Sequence, residues 1–329
     1  MTQQTAPSPD PGADEAPQQR DPAAGRRRRF GRRWYEAKVL PVLFLLPAAL
    51  FIFGLTVWPV MRTLQLSFTD ADLEMFMTGE FDYIGFANYA EVLTDPHLRS
   101  VFLTTAVFGL ICVITTLALG TAVALLLNRA FKGRTVLAIL VLLPWAVPRV
   151  AAAIVWQWIF DDQYGIANWA LAGMGLEMFE GFAWFNNRYT AFTAIGITVV
   201  WQSFPFVALV MLAGLQSISQ EVLDAARVDG AGPLQTLQRI KLPMLKPLLL
   251  VLVVISTIWN FKIFDQVYVM TGGGPARQTE LLAITTWREA FTQHDFGLAA
   301  ALAMAMFLIL AIVTFLYLWL IREDDEDLS

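Results

Sequence analysis

Six long runs with almost no charged residue dominate this sequence of 329 residues. They extend over residues 39–61, 101–127, 136–160, 191–215, 247–270 and 298–321. Because an α-helix rises about 1.5 Å per residue, each run is long enough to cross the roughly 30 Å of hydrocarbon in a bilayer. The composition agrees, since only 16% of the residues are charged, against about 25% in soluble domains. The sequence therefore predicts an all-α polytopic membrane protein with six transmembrane helices.

The two ends of the chain differ from these runs in composition. The first 25 residues are rich in Pro, Ala, Gln and Asp and hold almost no large apolar side chain, which predicts disorder. The first run is longer than the apolar part of a signal peptide and has no small-residue cleavage site after it, so we expect it to remain as a span. We therefore divide the chain into a disordered basic tail (1–38), a transmembrane domain (39–321) and an acidic tail (322–329).

The Lys and Arg residues predict the orientation. Of 23 such residues, sixteen lie in the two ends and in the connections 128–135 and 216–246. Because Lys and Arg favour the cytoplasmic side, these segments and both termini are predicted to lie on the cytoplasmic side of the membrane. The predicted topology thus accounts for the cluster of basic residues before the first span. The net charge of −5 also argues against a nucleic-acid partner, and membrane lipid is the expected environment.

Several kinds of chemistry are excluded by the residue inventory. The one cysteine, Cys112, lies inside a span, so neither a disulfide framework nor a cysteine metal site is predicted. His97 and His294 fall in separate polar connections. We find no paired carboxylates and no nucleophile with a base at a membrane face, as an embedded hydrolase or glycosyltransferase would need. The chain is predicted not to be an enzyme and to bind no metal or cofactor itself.

The connection 216–246 is amphipathic and longer than the other inner loop. Ser217 and Gln220 have the spacing of a capping box, and Val222, Leu223 and Ala226 recur on one face of a short helix. The segment therefore predicts a cytoplasmic helix that begins near residue 217.

Glycines mark where this helix ends and a second one starts. Gly230 can adopt the left-handed conformation of a helix end, and Gly232 with Pro233 can start a further helix. Ala225 and Ala226 are small, so a surface that carries them lets a partner approach closely. The alternative is an ordinary interfacial hairpin on lipid headgroups.

The spacing within this loop resembles a known signature. Asp224-Ala225-Ala226 is followed after three residues by Gly230, and after nine more by Ile240-Lys241-Leu242-Pro243. This is similar to the Glu-Ala-Ala signature of inner-membrane permeases of binding-protein-dependent ABC importers, with Asp in place of the opening Glu. Asp keeps the charge and shortens its reach. The resemblance implies a type I importer permease fold in which this loop is a coupling helix seated on an ATPase subunit.

Further motifs resemble the maltose-type carbohydrate branch of these permeases, over nearly the whole chain after the tail. They are Gly85–Tyr89, Leu143–Pro148, Asp229–Ala231 and Thr271–Pro275. The resemblance implies a sugar as substrate, with a disaccharide such as trehalose favoured although no residue establishes it. It also implies a second permease in a heterodimer, two ATPase subunits and an extracytoplasmic sugar-binding protein. Because no Walker motif occurs in this chain, ATP and Mg would be used by the ATPase partners.

Polar side chains inside spans are costly and usually face a cavity, which makes them candidates for a translocation pathway. The candidates are Arg149, Gln202, Ser203, Asn260, Lys262 and Asp265, with flat apolar faces supplied by Trp201, Phe206 and Trp259. Counting about 1.5 Å per residue places most of them near the midplane, where transporters bind substrate. By resemblance, the segments Trp201–Phe206 and Trp259–Lys262 match those that line the sugar site of maltose-type permeases.

Other roles remain open for the charged candidates. Lys262 and Asp265 have i, i+3 spacing and would pair with each other on a continuous helix. Arg149 would pair with a carboxylate of another subunit or line a gate. A secondary transporter or channel would instead use all three as a proton or ion relay, but such a protein needs no docking loop.

The predicted orientation is tested by reporter fusions. Fusions after Lys132 and within residues 235–239 are expected to report a cytoplasmic location, and fusions at Asp82, Glu180 and Gln278 an external one, because of the distribution of Lys and Arg. Paired alkaline phosphatase and fluorescent-protein fusions measure this. One fusion on the opposite side contradicts the six-span topology.

Overall fold

Helices make up almost all of the regular structure in the described part of the chain, residues 40–326 without the side chains of 40–41, 76–77 and 320–326. The structure is a computed structural model. The tail predicted over residues 1–38 lies outside the described residues, as do the last three residues of the acidic tail. The chain divides into two units, Met1–Met61 and Arg62–Ser329. In the first unit the apolar side chains of Phe44 and Phe51 are exposed.

The helices agree with the predicted spans in number and order. Five are long and apolar enough to cross a membrane: Val42–Leu66, Pro96–Leu127, Arg188–Ser217, Lys246–Met270 and Phe296–Trp319. A bent pair, Arg134–Ala146 and Arg149–Ile159, adds a sixth if it is counted as one span. The second and fourth spans begin earlier than predicted because side chains cap them. Asp95 accepts the Leu98 N–H and Asn187 accepts the Tyr189 N–H, each at 2.8 Å.

The α-helices are numbered here in chain order. They are α1 (Leu40–Ile52), α2 (Trp58–Leu66), α3 (Leu73–Thr78), α4 (Ala87–Thr94), α5 (Pro96–Leu127), α6 (Arg134–Ala146), α7 (Arg149–Ile159), α8 (Ile166–Gly173), α9 (Arg188–Ser217), α10 (Gln220–Val228), α11 (Pro233–Thr236), α12 (Leu242–Met244), α13 (Lys246–Phe261), α14 (Asp265–Met270), α15 (Leu282–Arg288) and α16 (Phe296–Glu326). Short π-helical turns cover Phe53–Val57, Leu237–Lys241 and Glu289–Gln293, and 3-10 turns cover Glu177–Phe179 and Trp184–Asn186.

The third span is broken, so the continuous helix predicted over 136–160 is wrong. α6 and α7 meet at an angle of 100°. Between them Val147 is extended, with φ −76° and ψ 132°. The following residue is Pro148, whose ring disfavours helical geometry in the residue before it and which has no N–H to donate. The break therefore follows from the local sequence.

The fifth span is also interrupted, although it was predicted as one helix over 247–270. α13 ends at Phe261, and α14 begins at Asp265. Lys262, Ile263 and Phe264 lie between them outside helical geometry. Neither proline nor glycine occurs at this point, so the residue types alone do not signal the break.

Close packing joins the long helices of the second unit. A Cβ atom on Gly120 of α5 would lie 2.6 Å from the Cβ of Val207 on α9. Only glycine allows this approach, because real Cβ contacts are never so short. Farther along the bundle, Phe108, Ile195 and Val267 belong to one buried apolar cluster that α5, α9 and α14 share. These contacts hold the bundle around the two broken spans.

A buried carboxylate organises the connection between α14 and α16. The Glu280 side chain is fully buried, accepts a hydrogen bond from Arg277 Nε at 3.0 Å and contacts Arg288. His97 Nε2, in the first turn of α5, lies 3.0 Å from the same carboxylate. Burial also raises the pKa of the neighbouring Glu289, against the opposing effect of Arg277. The cluster ties this connection to the start of the second span.

Removal of this carboxylate charge is expected to destabilise the protein. Glu280→Gln keeps the size of the side chain and removes the carboxylate that both guanidinium groups contact, which leaves Arg277 with only one described carboxylate nearby, that of Glu289 at 3.9 Å. Because both guanidinium groups are partly exposed, we expect a loss of about 1 to 3 kcal/mol rather than more. Thermal unfolding in detergent measures it, with the exposed Glu177→Gln as the matched control. Equal stability of the two variants contradicts the structural role of Glu280.

Candidate functional site

A cavity of about 350 Å³ lies where the two broken spans meet α9. Its lining comprises Trp145, Val147, Arg149, Val199, Gln202, Ser203, Trp259, Asn260, Ile263 and Gln266. The volume falls within the range of about 300 to 1,000 Å³ that is typical of small-molecule sites. Five of the predicted residues, Arg149, Gln202, Ser203, Trp259 and Asn260, are therefore brought together from three spans.

Two buried amides cross one side of this cavity. Gln202 of α9 donates from Nε2 to the carbonyl oxygen of Val147 at 2.7 Å. Gln266 of α14 donates from Nε2 to Oε1 of Gln202 at 3.0 Å. Both glutamines are almost completely buried. The amide nitrogen and the amide oxygen of Gln202 thus each already have one partner within the protein.

Asn260 presents a buried acceptor without a partner at the cavity. Its side chain is 3% exposed, and its Nδ2 donates to the carbonyl of Ser256 at 2.7 Å. Among the residues that the structure describes, its Oδ1 has no hydrogen-bond partner. A buried acceptor without a donor costs free energy, so a donor brought by a ligand would be stabilised there.

Aromatic rings form the apolar part of the wall. Trp145 and Trp259 line the cavity, and Phe206 packs against both, with ring centroids 5.9 Å and 5.1 Å away. Phe206 thus supports the two indoles from behind and does not itself line the cavity. The flat faces of indoles suit the apolar faces of ring-shaped ligands.

Three predicted residues lie elsewhere. Lys262 and Asp265 sit at the break between α13 and α14 and are absent from the cavity lining, and no ion pair within 4.0 Å joins these two described side chains. The pairing of Lys262 with Asp265, one role that their i, i+3 spacing left open, needs a continuous helix. The break between α13 and α14 removes that helix. Trp201 faces a different, mostly apolar cavity of about 940 Å³ between α5 and α9, where it contacts Trp156.

Sequence reasoning missed five lining residues, of which Trp145 is aromatic, Gln266 is polar and the other three are aliphatic. Trp145 lies between the two prolines of the third span, in a motif that was noted only for its resemblance. Gln266 is a polar residue in a span and met the criterion used for the other candidates. No group of three or more His, Cys, Asp or Glu side chains within the described ranges could hold a metal ion.

The loop 216–246 forms the predicted helical hairpin, with a different start. α10 begins at Gln220 after Ser219, whose side chain makes no capping bond. Ser217 Oγ instead donates to the carbonyl of Gly214, so the capping box predicted from Ser217 and Gln220 is wrong. Asp224 pairs with Arg227 at 2.7 Å on the exposed surface of the same helix.

Gly230 ends α10 as predicted. Its φ is +79°, and no atom lies near a Cβ placed on it. The N–H of Gly230 donates to the carbonyl of Arg227 at 3.1 Å, and the N–H of Ala231 to that of Ala226 at 2.9 Å. This is the Schellman arrangement, which needs a left-handed residue at the position of Gly230. The next helix, α11, starts after Gly232 with Pro233 in its first turn, also as predicted.

The two faces of α10 differ from the predicted arrangement. Ala225 is exposed, but Ala226 is 5% exposed and faces inward, so only one of the two small residues lies at the surface. Leu223 packs against the apolar cluster of α9 and α13, whereas Val222 is exposed. In the later part of the motif Ile240 and Leu242 are half-buried and Pro243 is exposed.

Comparison with known proteins places this arrangement in a class. The family described as "Binding-protein-dependent transport system inner membrane component" matches residues 114–323. Because the match covers most of the chain, the protein belongs to this family. This confirms the predicted multi-pass permease component of an ABC importer, which is not itself an enzyme.

Curated relatives resemble almost the whole chain. The diacetylchitobiose uptake system permease protein DasB of Streptomyces coelicolor is 34% identical over 99% of both chains. The sulfoquinovosyl glycerol transport system permease protein SmoG of Agrobacterium fabrum is 38% identical over 89% of this chain and 94% of its own. The trehalose/maltose transport system permease protein MalF of Thermococcus litoralis is 34% identical over 87% and 94%.

A solved structure supports the fold. A chain of a bacterial ABC transporter involved in the import of the acidic polysaccharide alginate superposes with a TM-score of 0.75, at 19% identity, over 89% of this chain and 99% of that chain. At this identity the likeness concerns the fold alone. It confirms the predicted importer permease fold.

Proposed function

We propose that this chain is one of two permease subunits of an ABC importer that moves a sugar into the cytoplasm. A second permease completes the passage, two ATPase subunits supply the energy, and an extracytoplasmic binding protein delivers the sugar. ATP and Mg bind to the ATPases and not to this chain. The family to which the chain belongs depends on binding proteins by description, which supports this set of partners.

The observation that carries the proposal is the unpartnered Oδ1 of Asn260 in the cavity wall. Sugars present many hydroxyl donors, and their rings have apolar faces that stack on indoles. The cavity offers both features, because Trp145 and Trp259 lie beside the buried amides. Arg149 and Ser203 would add donors at its wall. We therefore assign this cavity to the sugar passage.

The substrate that we favour is a glycoside of about two rings. The three relatives carry the names of diacetylchitobiose, sulfoquinovosyl glycerol and trehalose/maltose, all small glycosides. Trehalose remains the favoured example. Uptake of radiolabelled trehalose, maltose and diacetylchitobiose by vesicles that contain the complete importer tests this choice directly.

The loop 216–246 is proposed to be the coupling element. α10 presents Ala225 and the apolar Val228, which is 88% exposed, on a surface that the predicted topology places in the cytoplasm. An ATPase groove would cover this surface. Closure of the ATPases around ATP would then move the loop and turn the passage from inward-open to outward-open. Both termini would lie on the same side as this loop.

A secondary transporter or channel is the rival function. It would need Arg149, Lys262 and Asp265 as a connected relay. Of these three only Arg149 lines the cavity. The family match also favours the importer.

The coupling role predicts the effect of Gly230→Val. A β-branched residue at positive φ costs about 1 to 2 kcal/mol and would misdirect α11. We expect weaker ATPase association and loss of sugar-stimulated ATP hydrolysis, with normal membrane insertion. Gly232→Val is the matched control, because Gly232 has an ordinary φ of −70° and open space around it. Wild-type uptake by the Gly230→Val importer contradicts the docking role.

The pathway role predicts the effect of Asn260→Leu. Loss of one hydrogen bond to the sugar is expected to lower transport by about 5- to 150-fold, equivalent to about 1 to 3 kcal/mol. Assembly and basal ATP hydrolysis should persist, since Leu has a similar volume. Uptake and ATPase rates per assembled complex, measured in reconstituted vesicles, give the answer.

The exposed Asn186→Leu serves as the matched control for this change. If Asn260 only supports packing, the variant will lower complex yield or thermal stability and leave transport per complex unchanged. That outcome removes Asn260 from the proposed passage and does not bear on the role proposed for the loop 216–246.

A further inference from the structure

The two helix breaks meet at one hydrogen-bonded chain of side-chain amides. Val147 precedes Pro148 at the break of the third span, and Gln266 lies in the first turn after the break of the fifth. Gln202 of α9 stands between them and bonds to both, at 2.7 Å to Val147 and 3.0 Å to Gln266. The chain thus joins three spans through residues that are distant in sequence.

The direction of this chain is determined by its first member. A backbone carbonyl can only accept a hydrogen bond, so Gln202 must present its Nε2 to Val147. Its Oε1 then faces Gln266, which must present its own Nε2. Val147 thus sets the orientation of the Gln202 amide, and the bond from Gln266 Nε2 to its Oε1 holds the amide in that orientation. Gln202 and Gln266 are 6% and 5% exposed, so water competes little for these bonds.

The outer halves of the two broken spans also contact each other. Gln157 Nε2 of α7 lies 3.5 Å from the carbonyl of Met270 at the end of α14. Trp184, Phe160 and Val267 belong to one buried cluster around them. Because α7 and α14 pack together, a bond from α9 to either half restrains both.

We propose that Gln266 is a positioning residue of the passage: its bond to Oε1 holds the Gln202 side chain on the Val147 carbonyl, so that α7 and α14 are fastened to α9 beside the cavity. The inference rests on the proposed function, since it takes the cavity as the sugar passage. It goes beyond that function because it gives Gln202 and Gln266 a role that needs no contact with sugar. Their bonds must break when the outer halves of the third and fifth spans move away from α9.

The test uses the complete importer in vesicles with Gln202→Met, Gln266→Met and the double variant. Methionine has the length of glutamine and lacks its hydrogen bonds, so Gln202→Met removes both bonds of the chain and Gln266→Met removes the bond that joins α14 to α9. We expect basal ATP hydrolysis per complex, without binding protein, to rise about tenfold, the factor that one buried hydrogen bond of about 1.4 kcal/mol contributes to an equilibrium. The double variant should equal Gln202→Met, which already removes both bonds. Gln163→Met, at an exposed site, is the matched control.

A second measurement does not depend on transport. Spin labels at the exposed Ile197 on α9 and Tyr268 on α14, in a Cys112→Ala background, report the distance between these helices. The distribution should broaden equally in both single variants. Unchanged distances, or effects of the two variants that multiply, overturn the proposal. Broadened distances with unchanged ATP hydrolysis and uptake support the fastening by Gln266 and contradict the assignment of the cavity to the passage.

Discussion

A backbone carbonyl released inside a membrane span must find a donor, because no water is available in the hydrocarbon core. Pro148 creates such a group at Val147, and the Gln202 side chain satisfies it. This requirement explains why the amide of Gln202 lies in the middle of α9, a helix that is mostly apolar. The cavity exists because the spans around it are broken, and the break is tolerated because of this amide. The Gln202 amide is thus first of all a structural necessity.

The same reasoning separates the charged residues from the amides. One of the roles left open for Lys262, pairing with Asp265, needs the geometry of a continuous helix, and the break at these residues removes that geometry. Charges are more costly than amides within a membrane and tend to lie at interfaces or next to water. Lys262 is exposed accordingly. Arg149 is the one charged residue in the lining of this cavity, so the described side chains give no connected relay of charges there.

The sequence predicts features whose causes are local. Span positions follow from hydropathy, the left-handed Gly230 from its place after α10, and the break in the third span could have been read from Pro148. The break in the fifth span could not, since no residue type near Lys262 disfavours a helix. Contacts between residues that are distant in sequence could not be predicted either. Glu280 meets His97 across 183 residues, and neither residue shows a pattern that would suggest it.

A continuous set of packed side chains connects the loop 216–246 to the cavity. Leu223 of α10 packs against a buried cluster that includes Met211 and Leu252, and Phe206 belongs to the margin of the same cluster. Phe206 in turn supports Trp145 and Trp259 at the cavity wall. Protein cores are packed too densely to absorb a displacement locally. A shift of α10 therefore has to move either the indoles that face the cavity or the helices that carry them.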